Sequence, residues 1–410
     1  MRPTIAANLR RSAALLLALP LACSSGAPGP WLSDSKILVT GEVNNVGIAN
    51  HDCRPGICPH NENTDMIVWN GAIYLVHRTA MSQTLGDNSS LHIYRSTDSG
   101  KTFSEVAHFL APDPTMSPPD GRDLRDPAFF IKGSELWFKA LTRLPVSSVR
   151  DSNVETRAVV SHSADGVTWS PFEFVGPTGY SFWRVKEHNG VFYSAAYQDG
   201  DQSVTLYSTT DGTTWTQGPL IYGVSADTPL ETELVFLPDE SLLALVRMDG
   251  TDQEILGSRG RLRTKVCTSP KPYTAFDCTY EITGQRLDGP VAWFWNSRLF
   301  LVAREHIGAD DRKRTSLFEL TGNLGPSMTQ APGVIVHGEF PSAGDTSYAG
   351  VAPIGGSKFL VTYYSSNLVA DDGWFVAMQG PSDIWQGTID LAALPATEAV
   401  WNTPAADAGP

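Results

Sequence analysis

The chain has 410 residues and carries 44 Asp and Glu against 30 Lys and Arg, a formal net charge of −14 at pH 7. A chain this acidic lacks the basic footprint that nucleic-acid phosphates require, so nucleic acid is excluded as a partner. Carbohydrate, peptide and small ligands stay open, and the length fits two or three ordinary domains or one large all-β domain.

The first 22 residues read as an export signal and not as fold. Arg10 and Arg11 form a basic head, and Ser12 to Leu21 is an apolar run too short to span a bilayer. Ala22-Cys23 then resembles a lipoprotein cleavage site, with Cys23 as the lipidated first residue and 23–35 as a tether. The expectation is an exported protein, anchored in a membrane through Cys23 or freely secreted. No later stretch is long and apolar enough for a transmembrane helix. The other cysteines fall as two close pairs, Cys53 with Cys58 and Cys267 with Cys278, which an oxidising compartment would join as local disulfides. Neither pair has CxxC spacing, and no metal or cofactor is expected. His51 and His60, flanking the first pair, read as surface polar residues.

Helical periodicity is almost absent from the rest. Short β-rich runs alternate with Gly, Asn, Asp and Pro turns, the pattern of an all-β sandwich, barrel or propeller. Six runs recur at a spacing of roughly 50 to 60 residues, near the size of a large propeller blade. They begin at Asp65, Asp126, Phe182, Glu231, Gly289 and Tyr348, and each is followed by a tight turn and a second strand. The fold class is therefore all-β, a six-bladed β-propeller of four-stranded antiparallel blades over 36–391. A disordered Pro- and Ala-rich tail follows over 392–410, and the protein is expected to act as a monomer.

Three of the units share a turn signature. Ser96-Thr-Asp-Ser-Gly-Lys-Thr-Phe103 fits S-x-D-x-G-x-[TS]-[WF], and Ser163 to Trp169 and Ser208 to Trp215 are close variants. In such a turn the Asp carboxylate accepts backbone N–H bonds, the Gly takes a positive φ, and the aromatic packs between strands. The signature resembles the Asp-box of the sialidase superfamily, a hairpin between the third and fourth strands of a blade. It speaks for the fold and leaves the activity open.

Chemistry gathers where the inner strands begin. Asp65, Arg125-Asp126, Trp183-Arg184, Glu231, Asp288 and Tyr348 stand there, and Arg78, Lys139, Arg247 and Arg304 end the second strands. Ionisable groups crowded at an axis are costly to bury unless paired or functional, so a ligand pocket is expected. The segment Glu231 to Arg247 resembles the fourth blade of exo-sialidases, and Tyr348 to Tyr364 resembles their last blade. The resemblance implies Tyr348 as nucleophile, Glu231 as its base, and Arg247 and Arg304 as binders of an anionic group. Asp87 sits where the family places its acid, with Asp126 as the other candidate; Arg78, Arg184, Asp65 and Trp183 complete the expected binding set. A tyrosine suits an anionic sugar because a neutral phenol avoids the repulsion a carboxylate nucleophile would meet.

The first inner strand departs from the family, reading Asn63-Thr-Asp65 where sialidases carry Arg-Ile-Pro, and Arg54 and Arg78 are the candidates to replace that arginine. Two other readings stay open. Asp65, Asp126 and Glu231 resemble the three acids of furanosidase and arabinanase-like enzymes. A non-catalytic glycan-binding surface lipoprotein would use Trp183, Trp293 and Trp295 as stacking platforms. In every reading the partner is a glycan.

Overall fold

The computed structural model describes residues 29–41, 53, 56–84, 89–110, 123–143, 156–198, 203–250, 262–307 and 312–397. The signal, Cys23, Arg54 and Asp87 lie outside these residues. Nothing in the described part is a helix long and apolar enough to cross a membrane.

The protein is an all-β propeller built from four-stranded antiparallel blades. Four separate sheets are β6–β9 (Asp123–Lys132, Glu135–Arg143, Thr156–Ser163, Glu173–Val175), β10–β13 (Tyr180–His188, Val191–Gln198, Ser203–Thr209, Thr216–Tyr222), β14–β17 (Pro229–Phe236, Leu242–Met248, Arg263–Ser269, Asp277–Thr283) and β18–β21 (Asp288–Trp295, Arg298–Ile307, Arg312–Thr321, Gly333–Glu339). An eight-stranded sheet holds the rest. One side of it is β2–β5 (His60–Trp69, Ala72–Ala80, Ser90–Ser96, Ser104–Leu110). The other is β22–β24 (Thr346–Gly355, Lys358–Ser366, Ser382–Asp390), with β1 (Leu32–Val39) outermost on β24. A single parallel contact, His60 with Ser382, joins the two sides.

Local sequence explains the hairpins. Asn70-Gly71 and Asn189-Gly190 take positive φ at both positions, as a two-residue turn matched to strand twist requires. Second strands are mostly buried, and in Leu242–Met248 every residue is covered, because neighbouring sheets pack on both of its faces. Outer strands such as Ser104–Leu110 are mostly open to solvent. Apolar clusters lie between sheets and not at one centre; one joins Val76 and Ile93 to Phe138 and Val159.

The three signature turns are built alike. Asp98 accepts from Thr102, Asp165 from Val167 and Thr168, and Asp211 from Thr213 and Thr214 through backbone N–H groups. Gly166 has φ +74°, and a Cβ there would lie 2.1 Å from the Tyr74 hydroxyl of the preceding unit, so only glycine fits. Both expected disulfides are formed, Cys53–Cys58 and Cys267–Cys278.

Several expectations need correcting. The first strand starts at Leu32, with Trp31 buried before it, so the fold begins ahead of residue 36. At the other end, the chain stays attached to Thr397, whose hydroxyl bonds Glu319. Trp293 is buried against Phe300 and Phe359 and belongs to the core. His60 is not a surface residue: it is fully buried at the start of β2.

Candidate active site

Strands β2, β6, β10, β14, β18 and β22 each break register near their start. The shifts fall between Glu62 and Asp65, Arg125 and Ala128, Phe182 and Val185, Pro229 and Thr232, Asp288 and Val291, and Ser347 and Gly350. Two residues on the inner strand thus stand without a paired partner, a bulge that re-aims side chains. Asn63, Asp126, Gly289 and Tyr348 take the left-handed conformation there, with φ of 54°, 50°, 54° and 50°. For a bulky tyrosine that is a strained state, and such strain collects at functional sites.

The bulges bring Tyr348 and Glu231 together from opposite ends of the sequence. The phenol donates to Glu231 Oε1 at 2.6 Å, and Arg247 Nη1 donates to the phenol oxygen at 2.8 Å and to Glu231 Oε2 at 2.5 Å. Arg304 lies over the Tyr348 ring at 4.9 Å, and Trp183 meets that ring edge-on at 5.8 Å. All five side chains are buried. Burial, and then Glu231 itself, push the Tyr348 phenol far above its usual range. Burial also raises Glu231, against the pull of Arg247. The proton between them therefore has an acceptor in contact, and the phenolate left by its transfer has a guanidinium at hydrogen-bond distance.

Asp126, Lys139, Trp183, Arg184 and Asn63 line one narrow cleft with Tyr348. Asp126 accepts from the Asn63 amide, and burial raises its carboxyl above the ordinary value. Lys139, lowered to about 8 by burial, donates to the carbonyls of Asp126 and Phe182. Asp65 is engaged on both oxygens, by Arg184 and by the Phe129 N–H, and so ties β2 to β6 and β10. Arg184 also bonds the Ala349 carbonyl.

Arg78 does not join Tyr348. It is fully buried between Glu62 and Asp123, and Arg125 clasps the other side of Asp123. A wider cavity of about 1150 Å³ opens toward the far ends of the inner strands, lined by Phe129, Lys132, Lys186 and Phe236 among others.

Sequence reasoning placed Asp288 at an inner-strand start but missed that it, with other groups, holds the arginines. Asp249 takes Arg247 Nε at 2.6 Å, and Asp288 lies 3.3 Å from the same atom. Arg286 bonds both of these carboxylates. Asp345 and the Tyr364 hydroxyl take Arg304 at 3.0 and 2.7 Å. Tyr364 lay inside the last-blade segment already singled out, but nothing in the sequence marked it as a partner.

No protein-family profile matches the sequence, and no curated protein is similar to it. Solved structures do match. A Dyadobacter fermentans protein of unknown function superposes with a TM-score of 0.59 and 17% identity, over 81% of this chain and 94% of its own. The intramolecular trans-sialidase of Ruminococcus gnavus gives 0.59 and 11%, over 83% of this chain and 96% of its own. The NanB sialidase of Streptococcus pneumoniae gives 0.58 and 11%, over 82% and 69%. At such identities the likeness shows a shared fold.

Proposed function

We propose that this chain is an exported six-bladed propeller that hydrolyses the bond to a terminal sugar, with Tyr348 as nucleophile and Glu231 as its base. Counting the eight-stranded sheet as two blades, split at the single His60–Ser382 contact, gives the six. One observation carries the chemistry: the phenol oxygen of Tyr348 sits 2.6 Å from a carboxylate and 2.8 Å from a guanidinium. Glu231 takes the phenol proton as Tyr348 attacks the anomeric carbon and the glycosidic C–O bond breaks. Asp126, kept protonated to higher pH by burial, gives its proton to the departing oxygen. Water then releases the sugar from Tyr348. The sialidases among the structural matches support the same reading, and the three Asp-box-like turns support its fold. Asp87 remains the alternative acid. The two disulfides support maturation in an oxidising compartment, with the chain tethered through Cys23 or secreted.

A second substrate reading rests on Asp249 and Asp288. Those carboxylates already occupy Arg247 and Arg286, which favours an uncharged sugar over an anionic one. The three-acid furanosidase reading has less support, since both oxygens of Asp65 are committed to holding strands.

The test is a panel of aryl glycosides, neutral sugars and sialosides together, against wild type and Glu231→Gln. The variant should lose about 10²–10⁴-fold in kcat, the usual worth of a positioned base. In wild type, Glu231 must be ionised and its pKa is raised, so activity should fall on the acid side at a pH above the ordinary carboxylate range. No turnover of any glycoside, with binding retained, would favour the glycan-binding alternative.

Gly289→Ala probes the positioning of the phenol. A Cβ at this φ +54° site would stand 3.0 Å from the Tyr348 ring. The ring must give by a few tenths of an ångström, a misplacement of the phenol that should lower kcat by about 10-fold or more, toward the 10²-fold scale of a 1 Å error. Wild-type kcat in this variant, with the protein folded by circular dichroism, would count against Tyr348 as the attacking group.

A further inference from the structure

We infer that His60, Glu62 and Asp345 form a binding site for one divalent transition-metal ion of the Zn²⁺ or Mn²⁺ type, seated at the seam that closes the ring. His60 Nε2, Glu62 Oε2 and Asp345 Oδ2 all lie within 4.8 Å of one another, and no other such group occurs among the described residues. The three residues are fully buried.

Each ligand residue has its outer atom tied, and on His60 and Asp345 the inner atom is bare. His60 Nδ1 lies 2.8 Å from the Gly380 carbonyl, which can only accept, so Nδ1 carries the proton and Nε2 presents a lone pair. Glu62 Oε1 is held by Arg78. Asp345 Oδ1 accepts from Arg304, the Tyr364 hydroxyl and the Trp374 indole N–H. Neither His60 Nε2 nor Asp345 Oδ2 has a hydrogen-bond partner. An imidazole fixed through its second nitrogen by a carbonyl, beside carboxylates held from behind, is the outer arrangement that metal ligands require.

A proton fills this space less well than an ion. Nε2 is 3.4 Å from Glu62 Oε2 and 3.8 Å from Asp345 Oδ2, both beyond the roughly 2.7–3.2 Å of a hydrogen bond. A small dication bonding N and O at about 2.0–2.2 Å would set its ligands about 3.0–3.5 Å apart; the His60 distances already lie close to that, while the two carboxylate oxygens, within 4.8 Å of each other, would be drawn in further. One nitrogen with two carboxylates is too few oxygens for Ca²⁺ and suits Zn²⁺ or Mn²⁺. The ion would join the start of β2 to the residue preceding β22 and, through Gly380, to the loop entering β24.

The experiment uses tag-free protein stripped with a chelator and then exposed to Zn²⁺ or Mn²⁺. Elemental analysis, isothermal titration and melting temperature are read on wild type, Glu62→Gln and His60→Gln. Glu62→Gln keeps an oxygen for Arg78 and loses the charge. Wild type should retain one ion per chain and melt several degrees higher when loaded, and both variants should bind at least about 100-fold more weakly. The inference is overturned if wild type retains no ion and melts identically with and without metal. It is equally overturned if both variants keep the full equivalent, which would place the ion elsewhere. Should a variant fail to fold, the stoichiometry and melting shift of wild type decide alone.

Discussion

Tyr348→Phe is expected to lower turnover of an activated glycoside by at least about 10⁴-fold, the scale seen when a covalent nucleophile is deleted. Phenylalanine keeps the ring that Trp183 and Arg304 pack against and removes one oxygen. Arg247 keeps its bond to Glu231 Oε2 at 2.5 Å, and only Glu231 Oε1 loses a donor. Circular dichroism should match wild type, and the melting temperature should stay within a few degrees. Unchanged turnover in a folded variant would remove Tyr348 from the mechanism.

Arg78→Met should destabilise the fold by about 3–5 kcal/mol, the cost of leaving a buried charge without its partner. Glu62 would lose its guanidinium and Asp123 would keep only Arg125, and neither carboxylate has solvent to replace the loss. Burial alone would raise the Glu62 carboxyl, and Arg78 beside it holds it down at about 2, which shows how strongly the ion pair acts on it. Chemical denaturation checks the loss. A normal denaturation midpoint combined with a raised KM would instead make Arg78 a substrate contact, the role its position at the end of a second strand first suggested.

Much of the architecture was legible in the chain. Asn70-Gly71 and Asn189-Gly190 announce two-residue hairpins, and three Asp- and Gly-bearing turns recur at one place in successive units. The Tyr348, Glu231 and Arg247 contacts were also anticipated, because strand starts and ends meet at a propeller axis. The bulges were not. A register slip of this kind leaves alternation intact on either side of it, so periodicity cannot reveal it. Pro127 and Pro290 were the available signal: a proline inside a strand pattern points to an edge or a bulge, and both stand in the shifted stretch.

The partners of the charges were hidden for a different reason. Arg247 chooses among Glu231, Asp249 and Asp288 in three dimensions, and spacing along the chain cannot rank them. His60 misled because its neighbours, Cys58 and Pro59, look like a stapled surface loop. Its burial is set by Ser382 and Gly380, more than three hundred residues away in sequence.

The pairing of Leu32 with Ile389 carries a consequence for how the protein is made. The outermost strand of that sheet is synthesised before every other strand described and must wait, without its partner, until β24 has been produced. Bringing such distant segments together is entropically demanding, which makes closure a late event in maturation. Until then the rim of β24 is an open template for strands of other molecules.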